Sequence, residues 1–100
     1  MKHYAERHID ELGKMSLPIT LRKKMGLDIK EEVALICIGK IIIMQKRHED
    51  LITEITSLEK IDEMGRIKLS VELREKMGWK VKDGIAIYGV DDEMAILKLA

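Results

Sequence analysis

Two aspartates in matching surroundings are the residues of this chain that most invite a chemical interpretation. Asp10 and Asp62 each precede a glycine by three residues, in the strings IDELGK and IDEMGR. Two carboxylates can share general acid–base work, but no nucleophile or base accompanies these two, and the chain has no phosphate-binding glycine loop. An aspartate before a tight turn also hydrogen-bonds the backbone two residues on. We therefore interpret both as structural and expect no enzyme.

The histidines and the single cysteine point to no metal chemistry. His3, His8 and His48 lack ligand spacing with one another and with Cys37. We therefore expect neither a metal site nor a cofactor. Cys37 lies in the most hydrophobic stretch, which predicts a buried apolar role. As the only cysteine it rules out an internal disulfide, which fits a reducing cytoplasm.

The composition is that of a small soluble protein with an aliphatic core. Of 100 residues, 46% are hydrophobic but only 3% are aromatic, and Phe is absent. No apolar run approaches the length of a membrane span, and the N-terminus lacks the apolar stretch of a signal peptide. We expect a cytoplasmic protein with no membrane partner. The net charge of zero hides an asymmetry, because residues 1–52 carry 10 Lys/Arg against 8 Asp/Glu, whereas residues 53–100 carry 8 against 10.

The segments that must position these residues occur twice. Residues 9–46 and 61–98 align without a gap at an offset of 52, and such self-similarity decides the architecture. Each unit of about 40 residues is too small to bury an adequate core alone. We expect the two halves to fold into each other, as the two chains of a symmetric dimer do.

Each unit has the pattern β-β-α-β-β. A glycine turn separates two short strands, and a helix begins at Pro18, or at the N-cap residue Ser70 in the second unit, and ends at a glycine. A hairpin follows, whose first copy turns at Gly39-Lys40 with the type II′ pattern. Its nearly continuous aliphatic residues predict burial on both faces. The predicted elements of the first unit are strands 8–10 and 15–17, helix 19–25, and strands 33–38 and 41–46.

We divide the chain into repeat 1 at residues 1–46, a linker at 47–58 and repeat 2 at 59–100. Four aliphatic residues of the linker have helical spacing, which predicts a short amphipathic connector, although an extended linker is the alternative. These residues are Leu51, Ile52, Ile55 and Leu58.

The string IDELGKMSLPITLRKKMGL, with its polar connector and aliphatic hairpin, resembles the AbrB/MazE/SpoVT family of swapped-hairpin DNA-binding domains. Both copies fit the family pattern, with Lys14 for the usual Arg and Ser70 for the usual Pro. The resemblance implies a mainly β fold with short helices. In it the tandem β-β-α-β-β repeats interlace into a swapped-hairpin barrel with pseudo-twofold symmetry. The tandem arrangement is also similar to that of MraZ-type proteins.

The resemblance further implies binding of duplex DNA through basic residues at four positions of each unit. In repeat 2 two of these positions are acidic, Glu59 and Glu75, and a carboxylate facing phosphate repels it. Lys60, Lys68 and Lys76 lie nearby and compensate in part. Two hypotheses stay open: repeat 1 dominates an asymmetric DNA interface, or repeat 2 is only a structural partner. The expected DNA-binding residues are Arg7, Lys14, Arg22, Lys23, Arg66 and Arg74.

Arg22 and Arg74 allow two interpretations. An arginine fork can read guanine or hold phosphate, or it can pair within the chain with the acids of the glycine turns, Asp10/Glu11 and Asp62/Glu63.

The implied function is a prokaryotic DNA-binding transcriptional regulator of AbrB/SpoVT type. One alternative is the antitoxin of a toxin–antitoxin pair, with a toxin as partner. We expect it less, because the sequence stops two residues after the repeat and leaves no long acidic tail. The other alternative is a non-DNA protein-interaction module with the same barrel. A homodimer of the pseudo-dimeric chain stays open.

Overall fold

Both halves of the chain contain the predicted order of elements. A computed structural model describes residues 1–47 and 54–99. The strands in these ranges are β1 Lys2–His8, β2 Lys14–Ser16, β3 Glu32–Ile38, β4 Ile41–Lys46, β5 Ser57–Lys60, β6 Arg66–Lys68, β7 Gly84–Val90 and β8 Glu93–Lys98, and the helices are α1 Ile19–Met25 and α2 Val71–Met77. None of the helices within these ranges has the length and apolar character needed to cross a membrane.

The strands form one six-stranded antiparallel sheet, in the order β1-β7-β8-β4-β3-β5, and a two-stranded ribbon, β2–β6. The first strand of each half pairs with the hairpin of the other half, β1 with β7 and β5 with β3. The two hairpins meet through β4 and β8. Because each half completes the sheet of the other, the predicted interlaced, mainly β fold is confirmed.

The strand registers show the pseudo-twofold symmetry directly. Met15 pairs with Ile67 in the ribbon and Ile43 with Ala95 in the sheet, and each partner lies 52 residues further along the chain. The registers of β1–β7 and β3–β5 are related by the same offset. The pseudo-twofold axis therefore passes through the centre of the ribbon and through the centre of the β4–β8 pair.

The core is aliphatic, as predicted. Among the buried residues of the described ranges, Trp79 is the one aromatic residue. Two details differ from expectation. Cys37 is only half-buried, at the margin of the core, where its N–H donates to Thr56 Oγ1 at 3.0 Å. The first hairpin is not buried on both faces throughout: β3 buries four residues in succession, but β4 alternates, with Ile42 and Met44 buried and Ile41, Ile43 and Gln45 half-buried.

The helices end where the sequence indicated. Gly26 and Gly78 are left-handed, at φ 69° and 71°, which a residue without Cβ adopts without strain. Ser70 caps α2, because its Oγ accepts the Leu73 N–H at 3.1 Å. Pro18 occupies the N-cap of α1 in extended conformation rather than the first helical turn.

The largest boundary error concerns β1, which covers seven residues and ends at His8, whereas the prediction placed a strand at 8–10. KHYAERH is an edge strand without apolar alternation, and its pairing with β7 defines it. Half of the predicted helical connector at 47–58, residues 48–53, lies outside the described ranges, and its described residues 54–56 are not helical. Its end is not helical, since Ser57 and Leu58 begin β5. The boundaries given to the repeats and the linker stay a prediction.

Candidate nucleic-acid interface

The two glycine turns lie at opposite ends of the β2–β6 ribbon, and each is built around an aspartate. Asp10 Oδ1 accepts the N–H groups of Leu12 and Lys14, both at 2.9 Å. Asp62 Oδ1 accepts those of Met64 at 2.8 Å and Arg66 at 2.9 Å. These bonds agree with the structural role predicted for both aspartates.

The second carboxylate oxygen of each aspartate holds a cation from the opposite half. Lys14 Nζ lies 3.1 Å from Asp62 Oδ2, and Arg66 Nη1 lies 3.1 Å from Asp10 Oδ2. Arg66 Nε also reaches Asp62 Oδ2, at 3.2 Å. This ion network, defined by Asp10, Lys14, Asp62 and Arg66, joins the two halves across the ribbon.

The network keeps its carboxylates ionised. Removal from water by itself raises the pKa of Asp62, but the Arg66 backbone N–H, the Lys14 ammonium and the Met64 N–H outweigh it and lower the pKa to about 2. The pKa of Asp10 is also lowered: its desolvation acts upward, and the backbone N–H groups of Lys14 and Leu12 together with Arg66 act downward. Both aspartates are therefore charged at neutral pH and partly offset the cations beside them.

The ribbon presents a basic outer face. Met15 and Ile67 are fully buried and fill its inner face, so the residues that alternate with them point outward. These are Lys14, Ser16, Arg66 and Lys68. Lys14 stands directly opposite Lys68. With three cations against the two network aspartates, the ribbon keeps a net charge of +1.

Arg22 and Arg74 lie against the glycine turns of the opposite halves. A Cβ placed on Gly65 would lie 3.4 Å from an Arg22 guanidinium nitrogen, and one on Gly13 would lie 3.0 Å from the Arg74 guanidinium. Both glycines also have positive φ, 76° and 78°, so conformation and space both favour glycine here. The helices thereby bring two more guanidinium groups to the ends of the ribbon.

The predicted alternative, pairing of these arginines with the turn acids, is wrong for Asp10 and Asp62, because Lys14 and Arg66 hold those carboxylates. Arg22 Nη1 instead donates to the Leu27 carbonyl at 3.1 Å, and Arg74 Nε to the Leu69 carbonyl at 2.9 Å. Neither arginine forms an ion pair with any residue in the described ranges. Arg22 Nε is buried there without a hydrogen-bond partner.

The two remaining predicted residues differ in their surroundings. Arg7 is half-buried on β1, donates to the Glu6 carbonyl at 2.9 Å, and lines a groove together with Ser16 of the ribbon. Lys23 is exposed on α1, next to Arg22 in sequence. Neither cation forms an ion pair within residues 1–47 and 54–99. Five of the six predicted residues are thus grouped about the ribbon, and Lys23 lies beside the group on the helix.

Comparison with known proteins gives a short but clear similarity. No protein-family model matches this chain. The transition state regulatory protein AbrB of Bacillus subtilis (strain 168) is 49% identical over 41 residues, which are 41% of this chain and 42% of AbrB. The match therefore spans less than half of that relative.

A solved structure matches nearly the whole chain. The solution structure of PHS018 from Pyrococcus horikoshii has a TM-score of 0.52 with 18% sequence identity, over 96% of this chain and 87% of that one. At this identity the similarity concerns the fold. Sequence and fold together support an AbrB-like family. AbrB itself is named as a transition state regulatory protein.

The two halves of the chain carry opposite charges at two of the expected DNA-binding positions. Glu59, which corresponds to Arg7, accepts a hydrogen bond from Ser57 Oγ at 2.8 Å. Glu75, which corresponds to Lys23, is exposed on α2. The acidic replacements are thus surface features of one half and not members of the ion network.

Lys68 is more prominent on the outer face of the ribbon than the sequence suggested. It is exposed and faces outward opposite Lys14. Alignment of the repeats matches it with Ser16, so it is not among the expected contact positions of repeat 2, and the sequence indicates only that its charge compensates in part for Glu59 and Glu75. The antiparallel pairing of β2 with β6, had it been inferred, would have placed Lys68 beside Lys14.

Proposed function

We propose that this chain is an AbrB-like DNA-binding transcriptional regulator of the prokaryotic cytoplasm. It comprises two AbrB-like repeats, at 1–46 and 59–100, and binds duplex DNA through the face formed by the ribbon and its flanking arginines. The observation that carries the proposal is the outward-facing set of cations that flanks the pseudo-twofold axis, with Lys14 and Lys68 at one end of the ribbon and Arg66 at the other.

The geometry of the ribbon suits duplex DNA. The major groove, about 12 Å wide, admits a two-stranded β-ribbon. Lysine and arginine neutralise phosphates and release counterions, which provides affinity independent of base sequence. The protein measures 31 × 27 × 27 Å, so it spans about eight or nine base pairs at 3.4 Å each. Lys14 and Arg66 are related by the pseudo-twofold axis, and such a pair of cations fits the local symmetry of a duplex.

Repeat 1 dominates the proposed contact. Its Arg7 and Lys23 are free of ion pairs within the described residues, whereas repeat 2 has Glu59 and Glu75 at the same positions. Replacing Glu75 by Lys should raise DNA affinity and steepen its salt dependence, because a repulsion disappears and a cation is added. An exposed charge reversal should change the melting temperature little.

Fluorescence anisotropy tests the proposal, with labelled duplex fragments from upstream of the protein's own gene and a salt series. If lysine and arginine side chains make about four phosphate contacts, a plot of the logarithm of the binding constant against the logarithm of the salt concentration should have a slope near −4. Single-base changes across a fragment that binds then separate specific from nonspecific binding. Salt-insensitive binding, or no binding at 50 mM salt, would contradict the proposal.

A protein-interaction module is the second candidate, and one observation favours it. Lys14 and Arg66 already have carboxylate partners inside the chain, so they need no phosphate. Under this alternative, an Asp62→Asn variant would lose folding stability, and its affinity for DNA would not change.

A further inference from the structure

A groove of about 610 Å³ lies beside the ribbon, between β1 and the start of α1. Lys2, His3 and Arg7 line it from the strand, and Ser16 and Thr20 add hydroxyl groups. Arg7 and Ser16 make it continuous with the proposed interface. We call it the β1 groove.

An irregularity in β1 shapes this groove. His3 pairs with Tyr88 and Ala5 with Ile87, so Tyr4 is an extra, unpaired residue in the register. The Tyr4 ring lies over Gly89, where an added Cβ would come within 2.6 Å of it. The Lys2 ammonium lies 5.0 Å from the centre of the same ring. Tyr4 thus fixes the direction of the strand and gives Lys2 a defined place at the groove.

The equivalent surface of the second half has the opposite charge. At an offset of 52, Lys2, Arg7 and Thr20 correspond to Glu54, Glu59 and Glu72. Lys68, in place of Ser16, is the one cation gained there. Counting these four positions, the β1 groove has a charge of +2 and its counterpart −2. On the rim of the β1 groove, Glu6 lies 3.8 Å from His3.

We infer that the β1 groove holds the DNA backbone flanking the ribbon on one side only, so that the chain binds DNA in a single orientation. The inference rests on the proposed function and adds Lys2 and Thr20 as contact residues. A phosphodiester offers the anionic oxygens that an ammonium and a hydroxyl bind. The acidic counterpart repels the backbone on the other flank. The footprint of the pseudo-symmetric protein on DNA is therefore asymmetric, because it extends further on the repeat 1 side than on the repeat 2 side.

Hydroxyl-radical footprinting of a bound duplex, read on both strands, tests this inference. Residues 2–4 extend about 10 Å, so protection should reach about three nucleotides further on the repeat 1 flank. Lys2→Ala with Thr20→Glu should remove that extra protection and lower the magnitude of the salt slope by about 1. The central protection should stay, because the ribbon is untouched.

A reciprocal variant supplies the matched control. Glu54→Lys with Glu72→Thr changes the charge of the four counterpart positions from −2 to +1 and should lengthen protection on that flank, making the footprint more nearly symmetric. Melting curves of both double variants, expected within about 2 °C of the parent since all sites are at the surface, show that the fold is kept.

The outcomes separate the two proposals. A symmetric parental footprint, or one that the Lys2/Thr20 variant leaves unchanged, overturns the inference while DNA binding stands. Failure of every duplex to bind overturns both. Self-association in sedimentation velocity that the Lys2/Thr20 variant abolishes, with no effect on DNA, also overturns it, because the basic groove would then hold the acidic counterpart of a second copy.

Discussion

Asp62→Asn tests the ion network and the proposed DNA interface together. The amide keeps Oδ1 as acceptor for the Met64 and Arg66 N–H groups, so the turn geometry is preserved, but the charge that holds Lys14 and Arg66 is lost. The pKa of Asp62 is lowered from 3.8 to about 2, which corresponds to roughly 2 kcal/mol of folding free energy before screening. Because the side chain is about a quarter exposed, solvent screening reduces the expected loss to about 1–2 kcal/mol.

The same substitution should strengthen DNA binding. It raises the ribbon's net charge by one and releases Lys14 toward phosphate. Neutralising one more phosphate increases the magnitude of the salt slope by about 0.9. At 0.1 M salt this corresponds to a rise in affinity of roughly fivefold to tenfold. Stability and affinity should therefore change in opposite directions, which loss of structure alone does not produce.

Urea unfolding and salt-dependent anisotropy measure the two effects, and Asp83→Asn is the matched control. The pKa of Asp83 is also lowered, first by the Lys80 backbone N–H and, against an opposing desolvation, by Lys98. Asp83 pairs with Lys98 at 3.2 Å and belongs to no ribbon contact. Its variant should leave the salt slope unchanged. If Asp62→Asn lowered stability and left affinity and slope at the parental values, the ribbon would not face phosphate.

The pH dependence has a definite sign. Because the pKa of Asp62 is lower in the folded protein than its ordinary value of 3.8, the ionised carboxylate stabilises the fold at pH values above 3.8. This stabilisation is lost as the pH falls toward about 2. In Asp62→Asn the unfolding free energy should accordingly fall less between pH 4 and pH 2 than in the parent. An equal fall in both proteins would show that the network does not control the acid response.

Three further predictions follow. Lys23→Ala should lower the magnitude of the salt slope by about 1 without changing the melting temperature, because Lys23 is exposed and unpaired among the described residues; an unchanged slope would place α1 away from DNA. Gly89→Ala should lower stability by about 1–3 kcal/mol through overpacking against the Tyr4 ring, and Tyr4→Thr in that background should recover part of it in urea melts. Residues 1–50 and 53–100, expressed separately, should each be unfolded or self-associated and should combine when mixed; two well-folded monomers would contradict the interlaced fold.

The sequence was sufficient for the features that depend on local chemistry or on the repeat. Ser70 as N-cap, the glycine ends of both helices, the aspartate turns and the interlaced architecture all followed from residue type and the 52-residue offset. These features need only backbone hydrogen bonding, φ > 0 at glycine, and the inability of a unit of about 40 residues to bury its own core.

What the sequence could not supply depends on pairing between distant residues. The length of β1 comes from β7, 80 residues away, since KHYAERH has no apolar alternation of its own. The partners of Asp10 and Asp62 are cations of the opposite halves, and the ribbon register decides which cations come close. Tyr4, the extra residue in the β1 register, lines the β1 groove, and no residue pattern signalled that irregularity. These features became visible only with the fold.

The β4–β8 junction shows that the two halves are complementary and no longer interchangeable. Gln45 stands opposite Glu93, and its Nε2 donates to the carboxylate, while Ile41 stands opposite Leu97. At the offset of 52, a homodimer of first halves would set Gln45 against Ile41, and one of second halves would set Glu93 against Leu97. Either would bring a polar group against an aliphatic one, which costs free energy unless the group finds another partner.

The fused arrangement instead joins polar with polar and apolar with apolar at this junction. The pair on the axis follows the same logic, because Ile43 meets Ala95, large against small, where symmetry would force two equal residues together. Divergence of the halves at this internal junction has the same basis as divergence of their surfaces: a single chain is free of the requirement that both halves be alike. An asymmetric DNA contact is therefore compatible with a core that still follows the twofold axis.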